Sequence, residues 1–333
     1  MNKWLVTLVI IIVVIGGYFV WNAKKTATTD TPPIKIGVIA PLSGIVADYG
    51  EEIRKGVLVA QKYDGIEFIF EDDKCEPKEA VSAFQKLANI DKVKFIIGPA
   101  CGSSQEAIIS LLAQNDILAI VPSAASKELF TKSGNNFLNT QYALEDESKF
   151  IADTLYQKDL KKVALITYGN AFSKTHADSF KKNFKGTIAV DTVILDDNAN
   201  IQTELTRVKA AKVDAIYAPD ISFFFAGGTV KVDQLGLKVP LYTTYVAELP
   251  AARLLVEGVI YSFPGNLTGT EGAVFELSKQ SVEILVPIVL ECKTDVSCVK
   301  EKLASSGKFD NFGTIKRPII LKQIKDAQPV MMQ

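Results

Sequence analysis

Few residues in this chain are able to do chemistry. One histidine, His176, stands in Ser173-Lys174-Thr175-His176-Ala177-Asp178, on a stretch with helical spacing. No nucleophile motif accompanies it, so it is assigned to a solvated helix face beside Lys174 and Asp178 rather than to a general base. Asp72-Asp73 resembles a carboxylate pair for acid–base or metal work, but adjacent acids a few residues before Pro77 are better explained as caps of a helix starting there. Gly-x-Ser-x-Gly, Walker A and Gly-x-Gly-x-x-Gly are all absent. With one histidine and four cysteines that pair more naturally than they ligate, no zinc set assembles. No catalytic residue, metal or cofactor is expected, and an enzyme would have nothing here to work with.

A different chemistry is offered by two small-residue turns, Gly98-Pro99-Ala100-Cys101-Gly102-Ser103-Ser104 and Pro122-Ser123-Ala124-Ala125. Each falls where an apolar run (Phe95–Ile97, then Leu118–Val121) hands over to a helical pattern. That is the carboxyl edge of a parallel sheet, where open α/β folds hold ligands against free N–H groups and hydroxyls. The elements that would position these turns recur along the chain. Apolar runs Ile34–Ala40, Ile66–Phe70, Lys94–Ile97, Ile117–Val121, Lys162–Ile166, Ile188–Leu195, Val213–Tyr217 and Val239–Thr243 alternate with amphipathic helical stretches. Strands buried on both faces and separated by helices indicate βαβ units, an α/β class with parallel sheets flanked by helices. Across 333 residues, 48% hydrophobic content is enough for full cores, and a net charge of −1 carries no nucleic-acid signature.

The front of the chain is different. Trp4–Trp21 runs about 18 residues without a charge, near the lower limit for a membrane span and long for a signal-peptide core. A cut after Ala23 would place Trp21 at −3, so we expect a retained N-terminal membrane helix, followed by the polar tether Lys24–Pro33. Lys3 on one side and Lys24-Lys25 on the other barely decide orientation. The even number of cysteines behind such a segment favours disulfides, and with them an extracytoplasmic domain anchored to the cytoplasmic membrane.

The run Asp72-Asp73-Lys74-Cys75-Glu76-Pro77-Lys78, followed about 25 residues on by Ile97-Gly98-Pro99-Ala100-Cys101, resembles the branched-chain amino-acid-binding proteins, extracytoplasmic receptors of ABC importers. The resemblance extends over about 34–330, with a shortened tail in which Gly307–Ile324 matches the family's closing hairpin. It implies a two-lobed type I periplasmic-binding-protein fold with three hinge crossings: lobe 1 from 34–142 plus about 265–311, lobe 2 from 143–264 plus about 312–333. It implies a Cys75–Cys101 bridge, and the short Cys292-x5-Cys298 spacing suggests a second. Its ligand positions carry over one at a time. Tyr49 matches a pocket aromatic. Gly102 stands where the family has its ligand-contacting serine, with Ser103 or Ser104 as substitutes. Ser123 and Ala124 match backbone contacts, and Ala125 replaces a carboxylate-binding threonine. Phe172 replaces a tyrosine, and Ile221 or Ser222 another aromatic. Tyr245 falls where amino-acid binders carry the glutamate that pairs with the α-ammonium.

Each position has a plainer alternative. Tyr49 and Phe172 are also suited to a core, Ser103 and Ser104 to helix caps, Phe223-Phe224-Phe225 to core and rim, and Asp220 to either a cation partner or a cap. With Tyr245 neutral and Ala125 lacking a hydroxyl, ordinary α-amino-acid recognition is expected to weaken unless Asp220 or Glu248 restores the charge. The added aromatic surface suits a cation or a neutral planar solute such as an amide or an aromatic acid. The expected partners are a small-molecule ligand, an ABC permease and, through the N-terminal helix, the membrane. The alternative is a membrane-anchored ligand-sensing domain of the same fold without a permease.

Overall fold

Ile34–Ala40 forms a strand, β1, because it is an apolar run broken only by the exposed Lys35 and buried on both faces from Ile36 to Ala40. The same logic gives β3 (Phe95–Ile97) and β4 (Leu118–Val121), whereas β2 (Ile66–Asp72), half-buried and carrying Glu67, Glu71 and Asp72, is an edge strand. In this computed structural model, which describes residues 32–195, 200–249, 252, 256–267 and 272–332, these strands and β5 (Phe137–Asn139) make a parallel sheet in the order β2-β1-β3-β4-β5. Strand β5 lies inside Lys132–Tyr142, a segment whose Gly/Asn content predicts only a loosening of the pattern. Three residues preceded by Asn135-Asn136 and ending in Asn139 are too short to show a period, yet they form the sheet's edge.

A second sheet follows: β6 (Lys162–Tyr168), β7 (Thr187–Ile194), β8 (Ala215–Tyr217), β9 (Leu241–Thr243) and β10 (Ile260–Pro264), all parallel. To these the tail adds β11 (Ile319–Lys325) and β12 (Gln328–Met331) antiparallel, giving the order β12-β11-β10-β9-β8-β6-β7. The closing hairpin therefore turns at Asp326-Ala327, later than the stretch ending at Ile324 that the resemblance marked. Within Gly307–Ile324 only a single antiparallel bridge, Phe309 to Ile315, forms.

Helices cover both sheets. The helix Ala273–Cys292 comes back to pack on Ala47–Leu58, beside the first sheet. Gly56 makes that approach possible, since a Cβ there would lie 2.5 Å from the Phe275 carbonyl oxygen. Among the described residues no helix is long and apolar enough to cross a membrane. The expected membrane segment Trp4–Trp21 and most of its tether lie outside the described residues.

Both expected disulfides form, Cys75–Cys101 and Cys292–Cys298. The second ties the end of Ala273–Cys292 to the start of the helix Val296–Ser305. The first ties the turn after β2 to the residue preceding the helix Gly102–Asn115. A bond from the Ser103 hydroxyl to the Cys75 carbonyl at 3.0 Å reinforces it. Gly102–Ser104 is thus the first turn of a helix, pinned from below. Neither serine is its N-cap; that position is Cys101, with no side-chain cap bond.

Closing a loop with a sequence separation of 26 should stabilise by about 3–4 kcal/mol in the chain-entropy account. Urea unfolding of the Cys75→Ser/Cys101→Ser variant is expected to show a loss of about that size. A loss under ~1 kcal/mol would mean that this bridge barely constrains the unfolded chain.

Candidate functional site

The carboxyl edges of the two sheets meet at a pair of tyrosines. Tyr49 sits at the start of Ala47–Leu58, just after the loop that leaves β1. Its neighbour Gly50 passes so close to that loop that a Cβ would stand 2.1 Å from the Pro41 carbonyl oxygen, so the helix start is held against the sheet. Tyr245 opens a short 3-10 turn two residues beyond β9. Both rings are buried, and the hydroxyls of Tyr245 and Ser123 lie beside that of Tyr49. Burial pushes the Tyr49 phenol up to about 12, against the pull of those two hydroxyls. The Tyr49 OH nevertheless makes no hydrogen bond of ordinary geometry. Ser123 is held in place by Gln105, whose side-chain nitrogen donates to its hydroxyl at 2.9 Å and to the Pro99 carbonyl at 3.2 Å.

On the first-sheet side lie the two aspartates. They do not cap the helix Pro77–Lys86, whose N-cap is Glu76 with no side-chain bond. Asp72 instead organises the loop after β1: it accepts from the Leu42 and Lys74 backbone N–H groups at 2.8 and 3.0 Å and from the Ser43 hydroxyl. Burial pushes its carboxyl up, but the Ser43 hydroxyl and the backbone N–H groups outweigh that and hold it low. Asp73 is fully buried, and burial drives its carboxyl up. Its Oδ1 accepts from the Cys75 N–H at 3.3 Å, while Oδ2 has no partner, and neither has the nearby Ser104 hydroxyl.

The second-sheet side holds the groups that sequence inspection missed. Glu147 lies in the first turn of the helix Leu144–Gln157, with no solvent exposure. One carboxyl oxygen, Oε1, accepts from Tyr142 OH at 2.8 Å and from the Ser262 hydroxyl of β10. The Tyr245 amide also faces the carboxyl. The other, Oε2, has no hydrogen-bond partner and lies 3.6 Å from Nε2 of His176, which has none either. His176 is not on a solvated face. Ser173, His176, Ala177 and Phe180 make the buried stripe of the helix Ala171–Asn183, whereas Lys174 and Asp178 pair with each other at 2.6 Å on its exposed side. The ring's Nδ1 meets the Ser148 hydroxyl at 2.5 Å and Tyr217 OH at 3.2 Å. Burial raises Glu147 from 4.5 to about 7 and lowers His176 from 6.5 to about 3, so at neutral pH the imidazole is uncharged.

The remaining expected positions divide. Gly102 and Phe172 meet across the sheets: a Cβ on Gly102 would stand 3.6 Å from that of Phe172, whose ring packs edge-on against His176. Ala124 joins the apolar cluster that contains Tyr49, Tyr142 and Tyr245. Ala125 belongs instead to the cluster of Ile39, Leu129 and Phe137, and its carbonyl accepts from the Leu144 N–H. Asp220 takes the Asn170 amide, the Ser173 hydroxyl and the Ser222 N–H at 2.7 to 3.0 Å, tying the start of Ala171–Asn183 to the turn before Ser222, although the N-caps of the two helices are Asn170 and Ile221. Glu248 is ion-paired with Lys322 at 2.8 Å and accepts from Tyr261 OH at 2.6 Å. Phe223 and Phe224 are core and Phe225 is at the rim, as expected.

Three comparisons bear on this geometry. Residues 33–270 match the family described as periplasmic binding protein. The Leu/Ile/Val-binding protein BraC3 of Rhizobium johnstonii is 32% identical over 198 residues, 55% of this chain and 53% of that protein. The match thus spans about half the length of such curated relatives. Among solved structures, the branched-chain amino acid transporter substrate-binding protein LivJ of Streptococcus pneumoniae, in complex with isoleucine, superposes with a TM-score of 0.78 at 23% identity, covering 89% of this chain and 97% of its own. A solute-binding protein of an ABC transporter from R. palustris, in complex with benzoate, gives 0.74 at 21%, covering 90% and 95%. The two-sheet architecture is shared with both.

The buried pair makes a pH-dependent prediction. Because Glu147 is raised when folded, its contribution to stability is full below about pH 4.5 and lost as pH climbs through about 7. His176 is lowered, so its contribution is full above about pH 6.5 and lost as pH falls towards 3. Between those limits the two offset each other. Glu147→Gln removes only the first, so its Tm relative to the wild type should rise steadily from pH 5 to pH 8. A difference that is flat or falls over that range contradicts the burial assigned to this carboxyl.

Proposed function

The chain belongs to the periplasmic binding protein family, and from that premise we propose that it captures a small amino-acid-like or amide-like solute between its two sheets and delivers it to an ABC permease. The observation that carries this reading is the meeting of Tyr49 and Ser123, from the first sheet's edge, with Tyr245 from the second. Hydroxyls from two separate sheets converge on one point, which is where a solute would be gripped and where its departure would let the sheets part. The relatives carry the names of binding proteins, and this is a binding function with no reaction step. The two lobes of this reading are 34–142 with about 265–311, and 143–264 with about 312–333. The disulfides Cys75–Cys101 and Cys292–Cys298 support a location outside the cytoplasm.

The N-terminal run Trp4–Trp21 would hold this domain to the cytoplasmic membrane. The protein is then expected in the membrane fraction and resistant to carbonate extraction. A mature N-terminus between Ala23 and Thr31 would contradict retention.

Solute capture is tested by a thermal-shift screen of amino acids, amides, ureas and carboxylates. A true ligand at 100 times its Kd should stabilise by about 2.7 kcal/mol. Saturating shifts from at least one class are expected, and the Tyr49→Phe/Tyr245→Phe variant should lose them. Shifts that persist undiminished in that variant would place the solute elsewhere.

A further inference from the structure

Position 245 holds a phenol, so any charge that balances a cationic solute must come from another residue. The carboxylates around the tyrosine pair can be sorted by what already occupies them. Glu248 is spent on Lys322 and Tyr261, and Asp220 is spent on Asn170, Ser173 and the Ser222 N–H. Asp72 is filled by Ser43, Leu42 and Lys74. Asp73 has one free oxygen, but it lies on the first-sheet side against Ser104 and the Cys75 N–H, with its carboxyl raised by burial first and then by the like charge of Asp72. Glu147 is fully buried, its Oε2 accepts no hydrogen bond and has only the uncharged His176 ring 3.6 Å away, and its charge is felt at Tyr142, Tyr217 and Tyr245.

We propose that Glu147 supplies the negative charge against which the site holds an ammonium or similar cationic group of its solute. The inference rests on the solute-capture reading above and names the class of solute. Burying an ammonium is prohibitive without a countercharge and several acceptors. Glu147 provides the first, and the Tyr49 hydroxyl and the side-chain oxygen of Gln141, both buried and unpartnered, provide further acceptors. The ring faces of Tyr49, Tyr142 and Tyr245 suit a cation as well.

The groups that face this carboxyl are Tyr142 from the preceding segment, Tyr245 from the turn after β9, Tyr217 from β8, Ser262 from β10 and His176 from the facing helix. His176 is uncharged at working pH. Arg317, lowered by burial to about 10, reaches only as far as Tyr142 and stays protonated throughout. On the first-sheet side Asp73, also raised by burial, acts on Tyr49; on the second-sheet side an approaching cation meets Glu147, and its binding there drives a proton off that carboxyl.

The test is isothermal titration of the full chain at pH 6 and pH 8 with the twenty amino acids, 4-methylpentanoate (leucine without its ammonium) and benzoate. The tightest binder should carry an ammonium and bind roughly tenfold more weakly at pH 6 than at pH 8. Measured in two buffers of different ionisation enthalpy, binding should release about nine-tenths of a proton at pH 6 and about one-tenth at pH 8, given the raised carboxyl. Glu147→Gln should weaken that ligand about 30-fold or more and leave uncharged or anionic solutes unaffected. The wild-type proton count decides the matter even where the variant fails to fold. Binding only of 4-methylpentanoate or benzoate, or ammonium binding without proton release at pH 6, overturns the assignment of Glu147 and leaves solute capture standing. Binding of none of these probes overturns the assignment of Glu147, and if the amides and ureas of the thermal-shift screen fail as well, solute capture falls with it.

Discussion

A polar group taken out of water must find a partner or exact a cost, and for a carboxylate that cost is several kcal/mol. The two sheets of this protein close on a cluster that leaves several such groups without one. Tyr49 OH, Asp73 Oδ2, Ser104 Oγ, Glu147 Oε2, His176 Nε2 and the Gln141 amide are all buried and unpartnered. Asp91 Oδ2, Asn139 Oδ1 and Arg317 Nε are buried and unpartnered as well, whereas Asp220 has three donors and Asp72 sits in a nest of backbone N–H groups. On the solute-capture reading, the unmet bonds where the sheet edges meet are the ones a bound solute would fill.

Everything around the cluster serves to place it. Parallel strands send their carboxyl ends to one side, so the turns after β1, β4 and β9 deliver Tyr49, Ser123 and Tyr245 to a shared edge. The Cys75–Cys101 bridge and the Ser103 bond to Cys75 fix the first turn of Gly102–Asn115, and Gly102 in turn abuts Phe172. Glu147 and His176 come from two helices packed side by side over the second sheet, with Ser148 and Tyr217 bonding the ring.

Most strand positions were legible because buried parallel strands are largely apolar runs, and the start of β1 was read to the residue. Strands β5 and β10 were not: β5 is three residues long in a polar setting, and β10, though buried, carries Ser262 and ends in Pro264. The disulfides followed from the resemblance around Cys75 and Cys101. His176 was misjudged because its sequence neighbours Lys174 and Asp178 lie two positions away, on the opposite face. The signal that decides a face is the spacing of three and four, which groups His176 with Ser173, Ala177 and Phe180. Glu147 carried the same signal unread: it stands in the stripe Leu144, Ser148, Ile151, Ala152, Leu155, where a charge on an otherwise buried face marks an unusual residue. Asp220 and Glu248 could not be judged from sequence at all, since Asn170 and Lys322, which occupy them, are 50 and 74 residues away.

The central claim is that Tyr49 and Tyr245, brought from separate sheets, act on one solute together. A double-mutant cycle on ligand affinity, with Tyr49→Phe, Tyr245→Phe and the pair, tests it most directly. Two hydroxyls that share a ligand should be coupled, with the double variant departing from additivity by about 0.5–3 kcal/mol. Additive losses, or full affinity in all three variants, would contradict a site built across the two sheets.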